Sequence, residues 1–220
     1  MSERTLLYFA DPMCSWCYGF GPQLEAFLAQ LPGARLEVNM GGLRPFNTEA
    51  ATPAFREMLA SHWEHVRLES GLPVDPAAVA REGFVYDTEP ACRAVVTVRN
   101  LDSGQALAFL GRVQNAFYAQ GRDVTDPAVL ADLAAEQGLG RGAFLAAFES
   151  ASMKDETKLD FTTSVQMGVT GFPTLAAGYP SRQFFLIASG FTRAAQLAER
   201  LAQVDAIAAA GPVPLPHEQR

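Results

Sequence analysis

The sequence predicts an α/β protein: a central mixed sheet built from a β-α-β half and an α-β-β-α half, with a large helical insertion between them. Three observations carry this. Strand-like runs of apolar and aromatic residues occur only towards the two ends of the chain, the first at Thr5–Ala10 and the last ending at Ala188. Between residues 47 and 150 the apolar residues recur at helical spacing, with almost no strand signal and no internal repeat. The 220 residues, 49% hydrophobic and 19% charged, have an ordinary globular composition, enough for one well-buried domain carrying an insertion. The two halves of the sheet are assigned to residues 1–46 and 151–210, the inserted helical domain to 47–150, and a disordered tail to 211–220.

Taken in order, Thr5-Leu6-Leu7-Tyr8-Phe9-Ala10 reads as a buried strand. A helix follows: Phe20, Leu24, Phe27, Leu28 and Leu31 share one face, and Pro32-Gly33 stops the run. Residues 34–40 form a second strand, which a crossover of this length makes parallel to the first. Gly41-Gly42-Leu43-Arg44-Pro45 is a loop. Thr52-Pro53 caps a helix that runs to Gly71, with Phe55, Met58, Leu59, His62 and Val66 on its inner side. Pro73 and Pro76 mark a linker. Thr88 and Pro90 open a helix reaching Leu101, and further helices cover 103–120, the stretch from Asp126-Pro127 to Gly138, and 141–150. A helix over 154–167 ends at Gly168. Strand signal returns at 169–177 and, after a turn over Gly178–Ser181, at 183–188. The short turn makes these two antiparallel, and Phe184-Phe185-Leu186-Ile187 is predicted to be a central strand. A last amphipathic helix spans about Thr192 to Ala209, before the Pro-rich tail that begins at Gly211.

Charge excludes some functions. With 17 basic against 24 acidic residues, a net charge of −7 and no run of Lys or Arg, nucleic acid and anionic membranes are poor partners. No apolar run approaches the ~18 residues of a membrane span. Met1-Ser2-Glu3-Arg4 leads straight into a strand-like segment, so the expectation is a cytoplasmic protein. In a reducing compartment the pair in Cys14-Ser15-Trp16-Cys17 is redox-active or metal-binding rather than a structural crosslink. It lies where a strand gives way to a helix. The first turn of a helix has unpaired N–H groups and a partial positive charge, so a thiolate there is stabilised as a nucleophile. Helical spacing puts the second sulfur beside the first, within reach of a disulfide. As half of a zinc site the pair would need two more ligands from Cys92, His62, His65 and His217; a redox pair is the reading adopted, with no metal. Cys92, in an apolar helical stretch, reads as a buried small hydrophobe. Trp16 and Tyr18 are expected to be partly exposed, with Met13, Arg44 and Phe46 as candidates for the rim of the site.

These features together resemble the DsbA-like branch of the thioredoxin superfamily, and within it the FrnE-like, disulfide-isomerase-like members. Three of them carry the likeness: the Cys14-Ser15-Trp16-Cys17 motif at a strand-to-helix junction, the helical insertion that splits a thioredoxin-like fold, and Gly168-Val169-Thr170-Gly171-Phe172-Pro173-Thr174, which matches the family's cis-proline loop. Pro22, eight residues after Cys14, resembles the proline in the active-site helix of such folds. The likeness spans nearly the whole chain. It implies that Cys14 attacks, Cys17 resolves, and Pro173 is cis, presenting the backbone of Phe172 to an extended substrate segment. Trp16, Phe172 and Pro173 are then the substrate-binding residues.

The chain departs from the family in two places. Thioredoxin has a buried acid in the strand before the cysteines, whereas Leu6-Leu7-Tyr8-Phe9-Ala10 has none; Asp11 and Glu37 are the nearest candidates. The Ser15-Trp16 dipeptide supplies no histidine to the thiolate, so a less oxidising couple than that of the strong oxidants is expected. The implied activity is thiol–disulfide exchange of the reductase or isomerase type. It needs no permanently bound cofactor, takes glutathione or a protein dithiol as electron partner, and acts on disulfide-containing proteins or small thiols. Monomer and dimer are both open. Two alternatives remain: a glutathione-dependent isomerase or transferase of the kappa-like class, which usually has serine at the position of Cys14, and a non-enzymatic redox-sensing or metal-holding adaptor.

Overall fold

The structure is a computed structural model and describes residues 4–180 and 184–210. Four strands form one sheet in the order β2-β1-β3-β4: β1 is Thr5–Ala10, β2 Arg35–Met40, β3 Thr174–Gly178 and β4 Phe184–Ser189. β1 pairs parallel with β2, as expected for a β-α-β unit. It pairs antiparallel with β3, and β3 antiparallel with β4, so the sheet is mixed. Helix α1 (Ser15–Leu28) links β1 to β2, and α9 (Ala194–Ala210) follows β4. Between β2 and β3 lie α2 (Pro53–Ser70), α3 (Ala77–Ala80), α4 (Glu89–Leu101), α5 (Ala106–Tyr118), α6 (Pro127–Glu136), α7 (Arg141–Phe148) and α8 (Ala151–Gln166). Sheet and inserted helices share one apolar core, which runs from Leu6 and Phe20 through Trp63 and Phe117 to Phe148. Burial of this surface is the main favourable term in the fold.

Local chemistry explains most of the boundaries. Thr52 caps α2 by accepting from the Phe55 N–H, and Pro53 takes the first helical position, where no N–H is needed. Gly71 ends α2 in the left-handed conformation, φ 74°. Ser150 accepts from the Met153 N–H at 3.2 Å, which starts α8 three residues before the predicted 154. The linker marked by Pro73 and Pro76 contains the short helix α3, which its Pro-rich flanks conceal. The helix predicted over 103–120 opens as a 3-10 turn at Ser103–Gln105, held by the Asp102 side chain, before α5 begins.

Three expectations are corrected. The inner stripe of α2 is Leu59, Trp63 and Val66; Met58 and His62 face outward. The indole of Trp63 takes the core by packing edge-on against Phe117 and Tyr118, and this rotates the buried face. Phe184–Ile187 does not form a central strand, because β4 is an edge strand. Phe184 is 56% and Leu186 62% exposed, while Ile187 and Ala188 are buried. An uninterrupted apolar run cannot reveal which strand lies at the edge, since that depends on pairing. β3 starts at Thr174 instead of Val169, because the preceding residues form the loop that faces the cysteines. The expected tail 211–220, including His217, and the end of the turn at Ser181 lie outside the described residues.

Candidate active site

Cys14 is the N-cap of α1, with extended backbone angles (φ −88°, ψ 114°), and Cys17 lies in the first helical turn. Three features of the backbone place them there. β1 ends at Ala10, the Asp11 carbonyl accepts the Cys14 N–H at 3.0 Å, and the Cys14 carbonyl accepts the Tyr18 N–H at 3.1 Å. Cys14 has no side-chain cap bond, so its sulfur is left at the positive end of the helix. All three cysteines are free thiols. Cys14 keeps a sliver of exposure and Cys17 has none.

The far part of the chain meets this motif directly. The Phe172–Pro173 bond is cis, and the Cys14 thiol donates to the Phe172 carbonyl at 3.5 Å across 158 positions of sequence. Gly190 donates to the Pro173 carbonyl at 2.7 Å, and the Thr174 hydroxyl to the Gly171 carbonyl at 2.8 Å, so the loop is fixed from both sides. Gly41 is essential to this contact: a Cβ there would stand 2.0 Å from the Phe172 ring. Trp16 forms a half-buried rim, edge-on to His62 at 5.8 Å and tilted against Phe191 at 6.0 Å. The structure therefore brings together Cys14, Cys17, Trp16, Phe172 and Pro173. His65 is exposed on α2, and no cluster of three or more metal-binding side chains occurs among the described residues.

The surroundings of Cys17 are closed. Burial pushes the Cys17 thiol well above its ordinary value, and the adjacent Cys14 sulfur adds to this. Tyr8, in the middle of β1, lies beside it; burial raises the phenol well above its usual range, with both cysteine sulfurs contributing. Of the two acids expected nearby, Glu37 is exposed on β2 and paired with Arg35, so it serves no cysteine. Asp11 is completely buried. It accepts the Met13 N–H at 2.8 Å, the Leu43 N–H at 2.7 Å and the Cys92 thiol at 3.3 Å. Burial raises its carboxyl above the ordinary value, and the Leu43 and Met13 N–H groups act against that.

Several residues of this site give no signal in the sequence. The hydroxyls of Tyr86 and Tyr118, both from the inserted helical region, donate to the Met13 carbonyl next to Cys14. Tyr18 is buried, not partly exposed; its ring stacks on Tyr118 and its hydroxyl donates to the Pro73 carbonyl at 3.0 Å. Met13 is fully buried and forms no part of the rim, whereas Arg44 and Phe46 are exposed. A buried tyrosine is legible as core; the carbonyl it reaches depends on packing of distant segments.

The comparisons with known proteins agree with this geometry. The profile of the DSBA-like thioredoxin domain matches residues 5–202. The chain is similar to a candidate protein disulfide isomerase from Nitrosomonas europaea: 34% identity over 93% of this chain and 98% of that one, with a TM-score of 0.84. It is also similar to the cytosolic disulfide reductase DsbM from Pseudomonas aeruginosa, at 27% identity over 94% of this chain and 100% of that one, TM-score 0.76. A second structure of DsbM, with GSH, matches at 28% identity over 91% of this chain and 99% of that one, TM-score 0.75. No curated protein matches the sequence. No helix among the described residues is long and apolar enough to cross a membrane. On its sequence profile, its mixed sheet split by helices and its likeness to these structures, the chain belongs to the DsbA-like thioredoxin-domain family, a family of thiol–disulfide oxidoreductases.

Proposed function

We propose that the chain reduces or isomerises disulfides in a reducing compartment through a Cys14/Cys17 couple, with glutathione as the electron donor. The observation that carries this is the 3.5 Å contact between the Cys14 thiol and the carbonyl of Phe172, the residue before cis-Pro173. A substrate segment laid along Phe172 would place its disulfide at Cys14. Trp16, half-buried two residues after Cys14 and packed on His62 and Phe191, offers a second apolar surface to such a segment. The reaction is two exchanges. The Cys14 thiolate attacks one substrate sulfur, forming a mixed disulfide and releasing the other sulfur as a thiolate. The Cys17 sulfur then attacks Cys14, forming the intramolecular disulfide and releasing the second substrate thiol. Two glutathione molecules reduce that disulfide and leave as glutathione disulfide, so two electrons and two protons balance. Isomerisation stops after the first exchange, when another substrate thiol displaces Cys14.

The reducing direction is supported by the Ser15-Trp16 dipeptide, which has no histidine, and by likeness to a cytosolic disulfide reductase with a GSH-bound form. The test is to trap the intermediate. Cys17→Ser mixed with glutathione disulfide or a disulfide-bonded protein should accumulate an adduct on Cys14, mapped by mass spectrometry. Cys14→Ser should accumulate none. Adducts on Cys92 instead would overturn the Cys14/Cys17 couple, and activity that survives Cys17→Ser in a glutathione-conjugation or isomerase assay would replace this reading with the kappa-like one.

A further inference from the structure

Two tyrosines of the inserted helical region meet the start of the active-site helix at a single atom. The hydroxyls of Tyr86, between α3 and α4, and of Tyr118, the last residue of α5, both donate to the Met13 carbonyl. That carbonyl belongs to the peptide that carries the Cys14 N–H. It lies one residue ahead of the N-cap, and the helical ladder starts only with the Cys14 carbonyl. Met13 is fully buried, so its carbonyl needs a donor, and one hydroxyl would suffice. Satisfying the carbonyl therefore does not account for the second. Both tyrosines are themselves buried, where phenylalanine would fill the same space with no polar atom to satisfy.

Two donors do what one cannot. A single hydrogen bond lets a peptide rock about the bond. Hydroxyls from two rings, with the Cys14 N–H held by the Asp11 carbonyl at 3.0 Å, fix the peptide plane. That plane contains the Cys14 Cα. On the other side, the Cys14 carbonyl accepts the Tyr18 N–H at 3.1 Å. Cys14 is thus held before and after its Cα, and its sulfur keeps one torsion, χ1. The hydroxyls are aimed by packing within the inserted region. Tyr118 lies edge-on to Trp63 and to Phe117, each at 4.9 Å, and Tyr86 edge-on to Phe117 at 6.1 Å.

We infer that Tyr86 and Tyr118 are positioning residues for the exchange reaction: their hydroxyls fix the Met13–Cys14 peptide, so that the Cys14 sulfur at the Phe172 carbonyl passes between substrate and Cys17 by side-chain rotation alone. This rests on the reading of Cys14 and Cys17 as the redox couple. In the resolving step the Cys17 thiolate gives an electron pair to the Cys14 sulfur. The bond from Cys14 to the substrate sulfur breaks, and its pair leaves with the substrate thiolate, which takes up the proton that Cys17 released. Both sulfurs must be in line with Cys14, and a displacement of ~1 Å costs up to about 100-fold in such a step.

The experiment is steady-state reduction of a disulfide-bonded peptide by glutathione, with wild type, Tyr86→Phe, Tyr118→Phe and the double variant, each checked for cooperative urea unfolding. Each single variant should lose about two- to fivefold in kcat and the double variant about tenfold or more, with KM within about twofold of wild type. The pH midpoint of Cys14 alkylation should not move, because the hydroxyls bond to the backbone and not to the sulfur. A folded double variant with kcat within about twofold of wild type overturns the proposal. A loss wholly in KM, or one matched by a shift of the alkylation midpoint, overturns it as well, since the tyrosines would then act on binding or on the thiolate. Should the double variant not unfold cooperatively, the single variants decide, and wild-type kcat in both overturns the proposal. A wild type that reduces no disulfide with glutathione removes the functional reading itself, and the proposal with it.

Discussion

At the residue scale, the two cysteines owe their difference to what surrounds them. Cys14 touches the Phe172 carbonyl and the edge of solvent; Cys17 is sealed beneath it with Tyr8. Replacing the nucleophile should remove disulfide-reducing turnover, a loss on the order of 10³-fold or more in Cys14→Ser, measured by glutathione-driven reduction of a protein disulfide. Gly41 supports the same contact from behind. In Gly41→Ala the new methyl would stand 2.0 Å from the Phe172 ring, so the ring must move. The expected cost is about 1–3 kcal/mol of stability from overpacking, together with a raised KM for disulfide substrates. Denaturant unfolding and steady-state kinetics check the two parts separately. Tyr86 and Tyr118 share one acceptor, the Met13 carbonyl. Either Tyr→Phe change alone should cost about 0.5–1.5 kcal/mol, because the other hydroxyl still satisfies that carbonyl. The double change should cost more than the sum, and a double-mutant cycle measures the excess.

At the scale of elements, the question is what fastens the inserted helices to the sheet. Arg99 of α4 donates to both oxygens of Asp160 in α8, at 2.7 and 2.9 Å, and to the Val38 carbonyl in β2 at 2.8 Å. Asp160 also accepts the Met40 N–H at 2.9 Å. This bidentate pair therefore ties two helices to the end of β2, directly before Gly41 and Gly42. Asp160→Ala leaves Arg99 and the Met40 N–H without their partner. It should cost about 3 kcal/mol, read from the urea midpoint, with exchange activity falling as the Phe172 contact loosens. The Glu89–Arg93 pair within α4 is similar in kind: Arg93 also donates to the Phe148 carbonyl and lies 3.9 Å over the Phe148 ring, which locks α4 against α7.

For the whole molecule, the buried acids set how stability varies with pH. Burial raises the thiols of Cys17 and Cys92 and the phenols of Tyr8 and Tyr118 well above their ordinary values. A group that holds its proton more tightly in the folded state contributes stability that is complete below its unfolded value and is lost as the pH rises through the folded one. The reduced protein should therefore weaken above about pH 8.5, where unfolded cysteines begin to ionise. Urea midpoints at pH 7 and pH 10 in the presence of reductant should show the fall; equal midpoints would contradict it. Asp11 acts in the same sense lower down, its contribution being lost as the pH rises from about 4. The sequence by itself determined the periodic elements, their order, and the chemistry of the cysteine motif: the strand before Cys14 and the caps at Thr52 and Asp126 are local patterns of residue type and spacing, whereas the Phe172-Pro173 loop, which pattern alone placed in a strand, was legible only through the family resemblance. Only the tertiary structure decided that β4 is an edge, that Trp63 and not His62 turns inward, that Glu37 is irrelevant to the cysteines, and that Asp11, Cys92, Tyr86 and Tyr118 converge beneath them. The reason is physical. Helical and strand periodicities are written between residues a few positions apart, whereas burial and hydrogen-bond partners arise between segments separated by tens of residues, and no local spacing records them.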